Sequence, residues 1–374
     1  MRQTMTLISL LKTIRDPRSR RGRRHELWLV MFLSLLGDLC GYRGYRPLAT
    51  FARNYHARWC QLLGLAPAVT RVPSYSTFRQ VFLKVNAQAW VEAFNHWAAS
   101  ASDPPEGHLA IDGKAIRCTR RGTLHSGYDY ASLVSAYSQQ AGVVQLSLIF
   151  NKQVSEIATA RDLIAHIAAP RQPARHSSLC FSLDALHAQV ETLALIDRHQ
   201  CQYVVGLKGN QKKLYRQVQQ IVEQHSPFSV VVEDDNTHGR NVTRRVALYY
   251  PDQLDKRWQP CNIAVIIHIT RQGVRDCQPF CEHHYYLSNR RCGDARRLGQ
   301  YIREHWRIEN NLHWVKDVAL QEDFPPRIGG HSPISWAILN TFLITVARQL
   351  GTRTFPQARR QLANQLQDVF RLLT

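Results

Sequence analysis

The chain has 374 residues, enough for two or three domains of roughly 100–200 residues each. Hydrophobic residues make up 44% and aromatic residues 9%, which excludes a disordered chain because a sizeable core can be buried. Lys and Arg number 48 against 28 Asp and Glu, a formal net charge of +20. This excess favours a polyanionic partner, most commonly nucleic acid, although many basic proteins are merely soluble.

The nine cysteines are an odd number in a chain too large to need disulfide bridges. Most lie in apolar surroundings, which is typical of buried free thiols in a reducing cytoplasm. One group has spacings that match no common zinc finger, so we do not expect structural zinc there. Its members are Cys277, Cys281, His283, His284 and Cys292.

Residues 1–101 are predicted to form helices joined by short turns, because prolines punctuate stretches of helical apolar spacing. The apolar run Leu27 to Leu36 is about half a membrane span and no cleavage site follows it, which predicts a buried helix. Ser74 or Ser76 is a candidate N-cap of a later helix. We assign this region to DNA binding or dimerisation; its basic segments fit phosphates or a solvated helical face equally well.

A linker is predicted at residues 102–107, followed by strands that precede and alternate with helices. This order indicates an α/β fold with a mixed sheet covered by helices. The predicted strands are 108–116, 131–137, 143–150, 179–184 and 203–207, and the predicted helices are about 156–168 and 191–199. Residues 226–290 are predicted to be rich in strands, at 228–232, 242–250, 263–270 and 284–288, and the chain returns to helix from about 294.

Two aspartates occupy similar places in this pattern. Asp112 is predicted to close the strand that contains Leu109 and Ile111, and Asp184 to end a strand whose apolar residues share the opposite face. A single acidic residue at a strand end is usually a turn or helix cap. Two at the ends of neighbouring strands can approach closely enough to bind the same metal ions.

A third carboxylate, Glu309, lies in a predicted helix. At ~3.6 residues per turn, His305, Glu309, His313 and Lys316 fall on one stripe of that helix. A solvent-facing polar stripe is the alternative, but the flanking Trp306 and Leu312 favour partial burial beside a polar site. The histidines also suggest a zinc hydrolase, although the residue order of zinc proteases is absent.

Three carboxylates suit phosphodiester chemistry. In-line attack on a phosphodiester requires charge neutralisation on the entering and leaving oxygens, which two Mg²⁺ ions roughly 3.5–4 Å apart provide. Hard oxygen ligands hold such ions, and Mn²⁺ can substitute. A lysine and histidines beside the third carboxylate can contact a phosphate.

At these residues the chain resembles the DDE transposases of the ISAs-type insertion sequences, also called H-repeat-associated proteins. The most specific match is His305-Trp306-x-Ile308-Glu309-Asn310-x-Leu312-His313-Trp314, and the others run in order through nearly the whole chain. They are Ile111-Asp112-Gly113-Lys114, Asp184-Ala185-Leu186-His187-Ala188-Gln189, Gly206-Leu207-Lys208-Gly209-Asn210-Gln211 and His238-Gly239-Arg240. Val242 and Lys316 depart from the family pattern, and neither departure removes a carboxylate.

The resemblance implies an RNase H-like catalytic core, in two parts at 108–225 and 291–374, with a β-rich insertion at 226–290. It implies that Asp112, Asp184 and Glu309 bind the metal ions, and that a homodimer forms on double-stranded DNA. The residues expected to contact DNA are Lys114, Lys208, Asn210, Gln211, His238, Arg240, Arg303, His305, His313 and Lys316.

The leading hypothesis is therefore a cytoplasmic, nucleoid-associated transposase, with no membrane partner, that cuts and joins DNA at the terminal inverted repeats of its element. A transposase-derived DNA-binding protein without catalysis is the alternative. A nuclease that uses the same carboxylates is a third hypothesis, which strand joining would exclude.

Overall fold

A computed structural model of the chain describes residues 6–101, 107–123, 127–150, 152–169, 179–235, 241–275, 278–325 and 328–374. Six helices come first: α1 (Leu7–Thr13), α2 (Leu27–Leu39), α3 (Tyr45–Asn54), α4 (His56–Leu62), α5 (Tyr75–Lys84) and α6 (Ala87–Ala101). Strands follow: β1 (His108–Ala115), β2 (Arg121–Thr123), β3 (Gly127–Asp129), β4 (Ala131–Ser138) and β5 (Gly142–Phe150). Then come α7 (Glu156–Ala168), β6 (Cys180–Leu183), α8 (Val190–Arg198), β7 (Gln202–Leu207) and α9 (Lys212–Gln224).

The remainder of the chain, from residue 229, begins with strands and ends with helices. The strands are β8 (Ser229–Asp235), β9 (Val242–Tyr249), β10 (Val265–Arg275) and β11 (Gln278–Ser288). Helix α10 (Ala295–Ile308) leads into two five-residue π-helical segments, Glu309–His313 and Val315–Ala319. The final helices are α11 (Ser332–Gln349), α12 (Phe355–Leu362) and α13 (Leu366–Leu373).

These elements form two compact units. The first comprises Met1–Pro104, Gly113–Ser155 and Glu309–Thr374, and the second comprises Pro105–Asp112 and Glu156–Ile308. One boundary falls inside β1, directly after Asp112, and another falls directly after α10, where Glu309 begins the π-helical segments.

The first unit is built around α11. Every residue from Ser332 to Ala347 is buried, as expected of a helix that is packed on all sides by α2, α5, α6 and β5. Helix α2 is likewise buried except at Trp28, which confirms the buried helix predicted from the apolar run. Ser74 is the N-cap of α5, since its side chain accepts a hydrogen bond from the Thr77 amide.

The second unit contains a mixed sheet with the strand order β1-β6-β7-β11-β10-β9-β8. Strands β1, β6 and β7 run parallel, and from β7 onward each neighbouring pair is antiparallel. Helix α10 packs on this sheet, where Leu298 and Ile302 join a core with Val204, Val246 and Ile267. The predicted mixed sheet with flanking helices is confirmed.

No helix among the described residues is both long and apolar enough to cross a membrane. Cys180 and Cys201 are buried free thiols, as predicted. Cys277 of the zinc-like group, His238 and Arg240 lie outside the residues that the structure describes.

Candidate active site

Asp112 and Asp184 stand at corresponding positions of two adjacent parallel strands in the second unit. The pairing of β1 with β6 ends at Ile111 opposite Leu183, and each aspartate is the next residue along the chain. Strand β1 continues through Asp112 to Ala115. Asp112 therefore follows the last residue of β1 that pairs with β6, but it does not end the strand as predicted. Consecutive residues in register keep the two carboxylates at the same edge of this pair of strands.

The Asp184 carboxylate also orders the turn that follows it. Its Oδ1 atom accepts a hydrogen bond of 2.9 Å from the Leu186 amide and caps the short 3₁₀ helix Ala185–His187. The capping role expected of a lone acidic residue is therefore present here. The Asp184 side chain remains 47% exposed, so it is accessible to a ligand from solvent.

Two predicted DNA contacts, Asn210 and Gln211, hold this turn in place. Asn210 Nδ2 donates to the Ala185 carbonyl at 2.6 Å, and Gln211 Nε2 donates to the Ala188 carbonyl at 2.9 Å. The motif around residue 184 and the motif around residue 208 thus form one structural element.

Gly206 permits the close approach of β7 to the same turn. A Cβ atom at this position would lie 3.2 Å from the Ala185 backbone nitrogen, closer than most real Cβ contacts. Gly209, in the same motif, has open space around it. Glycine is therefore required at Gly206, where β7 passes close to Ala185, the residue that follows Asp184.

Helix α10 is fixed to β1 and β6 by two side-chain pairs within the second unit. His305 Nδ1 lies 2.9 Å from Ser182 Oγ, and Ser182 shares a strand face with Asp184. Glu304 Oε2 lies 3.3 Å from His108 Nδ1. The end of α10 is consequently held against the strands that carry the two aspartates, and the next residue of the chain is Glu309.

Glu309 opens the first π-helical segment of the first unit. Its Oε2 atom lies 2.9 Å from His313 Nδ1, and its side chain is 57% exposed. This hydrogen bond lowers the pKa of the Glu309 carboxyl below its ordinary value of 4.5, and the charge of Lys114 acts in the same direction. Glu309 is therefore ionised at neutral pH, as a metal ligand must be. π-Helical turns are rare and occur frequently at functional sites.

Lys316 does not lie on an exposed stripe with Glu309. It is fully buried, with 0% exposure, and its Nζ atom lies 3.8 Å from Oε2 of the buried Glu322. The prediction assumed ~3.6 residues per turn, whereas the wider π-helical turns rotate later side chains away from that stripe. Burial lowers the pKa of the Lys316 ammonium.

The remaining predicted contact residues are dispersed. Lys114 is buried and pairs with Asp317 at 2.7 Å within the first unit. Arg303 pairs with Glu233 of β8, and Lys208 is exposed directly after β7.

Comparison with known proteins decides the family. Residues 103–324, more than half of the chain, match the family described as "Transposase DDE domain". The chain belongs to the DDE transposase family. The preceding region of the chain, residues 8–98, matches a family described as "DDE_Tnp_1-associated".

Curated relatives agree with this assignment. The chain is 25% identical over 337 residues to "Putative transposase YncI" of Escherichia coli O157:H7, an alignment that covers 85% of this chain and 81% of the relative. It is 22% identical over 336 residues to "H repeat-associated putative transposase YhhI" of Escherichia coli strain K12, covering 85% and 83% respectively. The predicted resemblance to transposases and H-repeat-associated proteins is confirmed.

Sequence reasoning did not assign roles to Ser182, His108 or Glu322. The sequence could have indicated a role for Ser182, because strand alternation predicts that it lies on the same face as Asp184. Glu322, with Asp323, also belongs to the family resemblance, but its contacts with Lys316 and Asn340 depend on tertiary packing and could not be predicted.

Proposed function

We propose that this chain binds the terminal inverted repeats of an insertion sequence and catalyses metal-dependent DNA strand cleavage and strand transfer. The observation that carries the proposal is the register of Asp112 and Asp184 on paired parallel strands in a chain of the DDE transposase family. The parallel β1, β6 and β7, extended by antiparallel strands, support an RNase H-like core with a β-rich insertion. The N-terminal helices α1–α6 would form a separate functional region for DNA binding or dimerisation.

We assign metal binding to Asp112, Asp184 and Glu309. Their donor set fits Mg²⁺ or Mn²⁺, because all three offer hard carboxylate oxygens, and Asp184 and Glu309 are exposed enough for substrate and water to complete the ligand shells. Two such ions would neutralise charge on the entering and leaving oxygens of the phosphodiester.

The direct connection of Glu309 to the end of α10 supports its assignment as the third metal ligand. Helix α10 is held to β6 through His305 and Ser182 and passes directly into Glu309. The hydrogen bond with His313 keeps the Glu309 carboxyl ionised and orients it. His305 and His313 would thus position the site, with His313 adjacent to the substrate phosphate.

The reaction would proceed by two in-line displacements. Water attacks phosphorus at the element end, the bond to the 3′ oxygen breaks, and a 3′-OH and a 5′ phosphate result. That 3′-OH then attacks a target phosphodiester, and the target 3′ oxygen leaves. No covalent intermediate with the protein is required.

Contacts with double-stranded DNA are proposed for the residues around these carboxylates. Lys208 and Arg303 are partly or fully exposed and suit direct phosphate binding. Asn210 and Gln211 would support DNA binding by holding the backbone after Asp184. Lys114 and the buried Lys316 would support it through their ion pairs with Asp317 and Glu322. His238 and Arg240 are proposed from their motif, and a homodimer is proposed for pairing two element ends at the bacterial nucleoid.

The test uses purified protein and labelled DNA that carries the sequences flanking its gene, with Mg²⁺, Mn²⁺ or EDTA. We expect nicked and joined products that require metal and disappear in Glu309→Gln, while end binding persists. Glu304→Gln is the control for loss of a nearby carboxylate, since Glu304 lies on α10, five residues before Glu309 in the sequence, and contacts His108.

Each other outcome has a distinct meaning. DNA binding without product in the native chain would favour the non-catalytic descendant. Cleavage without joining would favour a nuclease, and loss of binding in Glu309→Gln would contradict the assigned role of that residue.

A further inference from the structure

A largely buried polar network around Arg43 joins several elements of the first unit. Arg43, which precedes α3, donates from Nη1 to Asp38 Oδ2 at 3.0 Å. Its Nη2 atom donates to the Leu320 carbonyl and to Asn340 Oδ1, both at 2.9 Å. Asn340 Nδ2 in turn donates to Glu322 Oε2 at 3.0 Å, and the same oxygen faces Lys316.

This network spans distant parts of the sequence. Asp38 and Arg43 belong to the region that matches the transposase-associated family, and Asn340 lies in the central helix α11. Lys316, Leu320 and Glu322 belong to the segment that begins at Glu309. Asp38, Lys316, Glu322 and Asn340 are all buried, so their hydrogen bonds are protected from competing water.

We infer that Arg43 and Glu322 are positioning residues for Glu309: the N-terminal helices clamp residues 315–322 and thereby fix the π-helical segment that carries this carboxylate. The inference rests on the proposed role of Glu309 as a metal ligand. It gives the associated N-terminal region a part in building the catalytic site, in addition to any contact with DNA.

The contacts of Arg43 require the shape of the guanidinium group as well as its positive charge. One guanidinium bridges a carboxylate on α2, a side-chain amide on α11 and the backbone carbonyl of Leu320. A lysine keeps the charge but lacks the planar fork that makes these contacts together. A phosphate-binding role would tolerate Arg43→Lys far better than a positioning role would.

The first measurement is backbone hydrogen exchange of the full-length protein, without DNA or metal. We expect Arg43→Lys and Glu322→Gln to speed exchange in residues 309–322 about tenfold, because local opening becomes easier. Tyr45→Phe is the matched control. Tyr45 Oη contacts Ser332 Oγ at 2.5 Å and accepts from Trp336 Nε1 at 3.1 Å, so these hydrogen bonds link α3 to α11 and involve no atom of residues 309–322.

The second measurement is the Mg²⁺ concentration that gives half-maximal cleavage. We expect an increase of about tenfold in Arg43→Lys and Glu322→Gln, as for other residues that orient metal ligands, with end-DNA affinity unchanged. Tyr45→Phe should keep the native Mg²⁺ requirement.

The two measurements separate the possible failures. Unchanged exchange in residues 309–322, or an equal change in Tyr45→Phe, would overturn the clamp whether or not the protein cleaves DNA. Faster exchange with an unchanged Mg²⁺ requirement would overturn the link to Glu309. Absence of metal-dependent cleavage in the native protein would refute the proposed function, while the exchange result would still decide whether the clamp exists.

Discussion

The Lys316–Glu322 pair gives a quantitative test of the interior of the first unit. Both side chains are 1% exposed, and Nζ lies 3.8 Å from Oε2. Removing one partner of a buried pair leaves an uncompensated charge and typically costs about 3–5 kcal/mol. We therefore expect Lys316→Met and Glu322→Gln each to reduce the free energy of unfolding by about 3 kcal/mol.

The double variant should lose less than the sum of the two. Lys316→Met with Glu322→Gln leaves no buried charge at either position, and the glutamine can still accept the hydrogen bond from Asn340. We expect a total loss of about 3 kcal/mol, against about 6 if the effects were additive, which is a coupling of about 3 kcal/mol.

Urea unfolding, followed by tryptophan fluorescence and by circular dichroism, measures these free energies. Coincidence of the two signals identifies a single transition on which the comparison is valid. Additive losses would refute the pairing of Lys316 with Glu322. Single losses below about 1 kcal/mol would show that water reaches both charges.

Two further predictions concern the strands and α10. Gly206→Ala should displace the turn after Asp184 and slow cleavage about tenfold, whereas Gly209→Ala should cleave at the native rate because nothing lies near its Cβ position; equal rates in single-turnover assays would contradict this. The hydrogen bond from His108 lowers the pKa of Glu304 below its ordinary 4.5, so its stabilisation is present above that pH and is lost as pH falls through the lower value. The free energy of unfolding, measured at pH 7 and at pH 3, should fall by less in Glu304→Gln than in the native protein, by up to about 1 kcal/mol, and identical acid sensitivity would count against the pairing.

Much of the secondary structure could be predicted from local pattern. The helix at 156–168 is observed at Glu156–Ala168, and the strand at 203–207 is observed at Gln202–Leu207. The predicted end of one strand is also close to that observed, because β6 ends at Leu183, directly before Asp184, whereas β1 continues past Asp112 to Ala115.

Features that depend on tertiary packing could not be predicted. The burial of Lys316 follows from π-helical turns that helical periodicity does not anticipate. Arg43 forms hydrogen bonds with Leu320 and Asn340, which lie 277 and 297 residues away in the sequence, and no local pattern specifies such partners. The hydrogen bonds from the Asn210 and Gln211 amides to the backbone after Asp184 likewise depend on the close approach of β7 to that turn.

The most direct test of the central claim is to map the metal site with Fe²⁺, which cleaves the polypeptide next to its binding position in the presence of ascorbate and peroxide. We predict fragments that end near residues 112, 184 and 309, suppression by excess Mg²⁺, and loss of all three cuts together in Asp112→Asn. Cuts near only one of these residues, or cuts that persist in Asp112→Asn, would contradict a single site built from Asp112, Asp184 and Glu309.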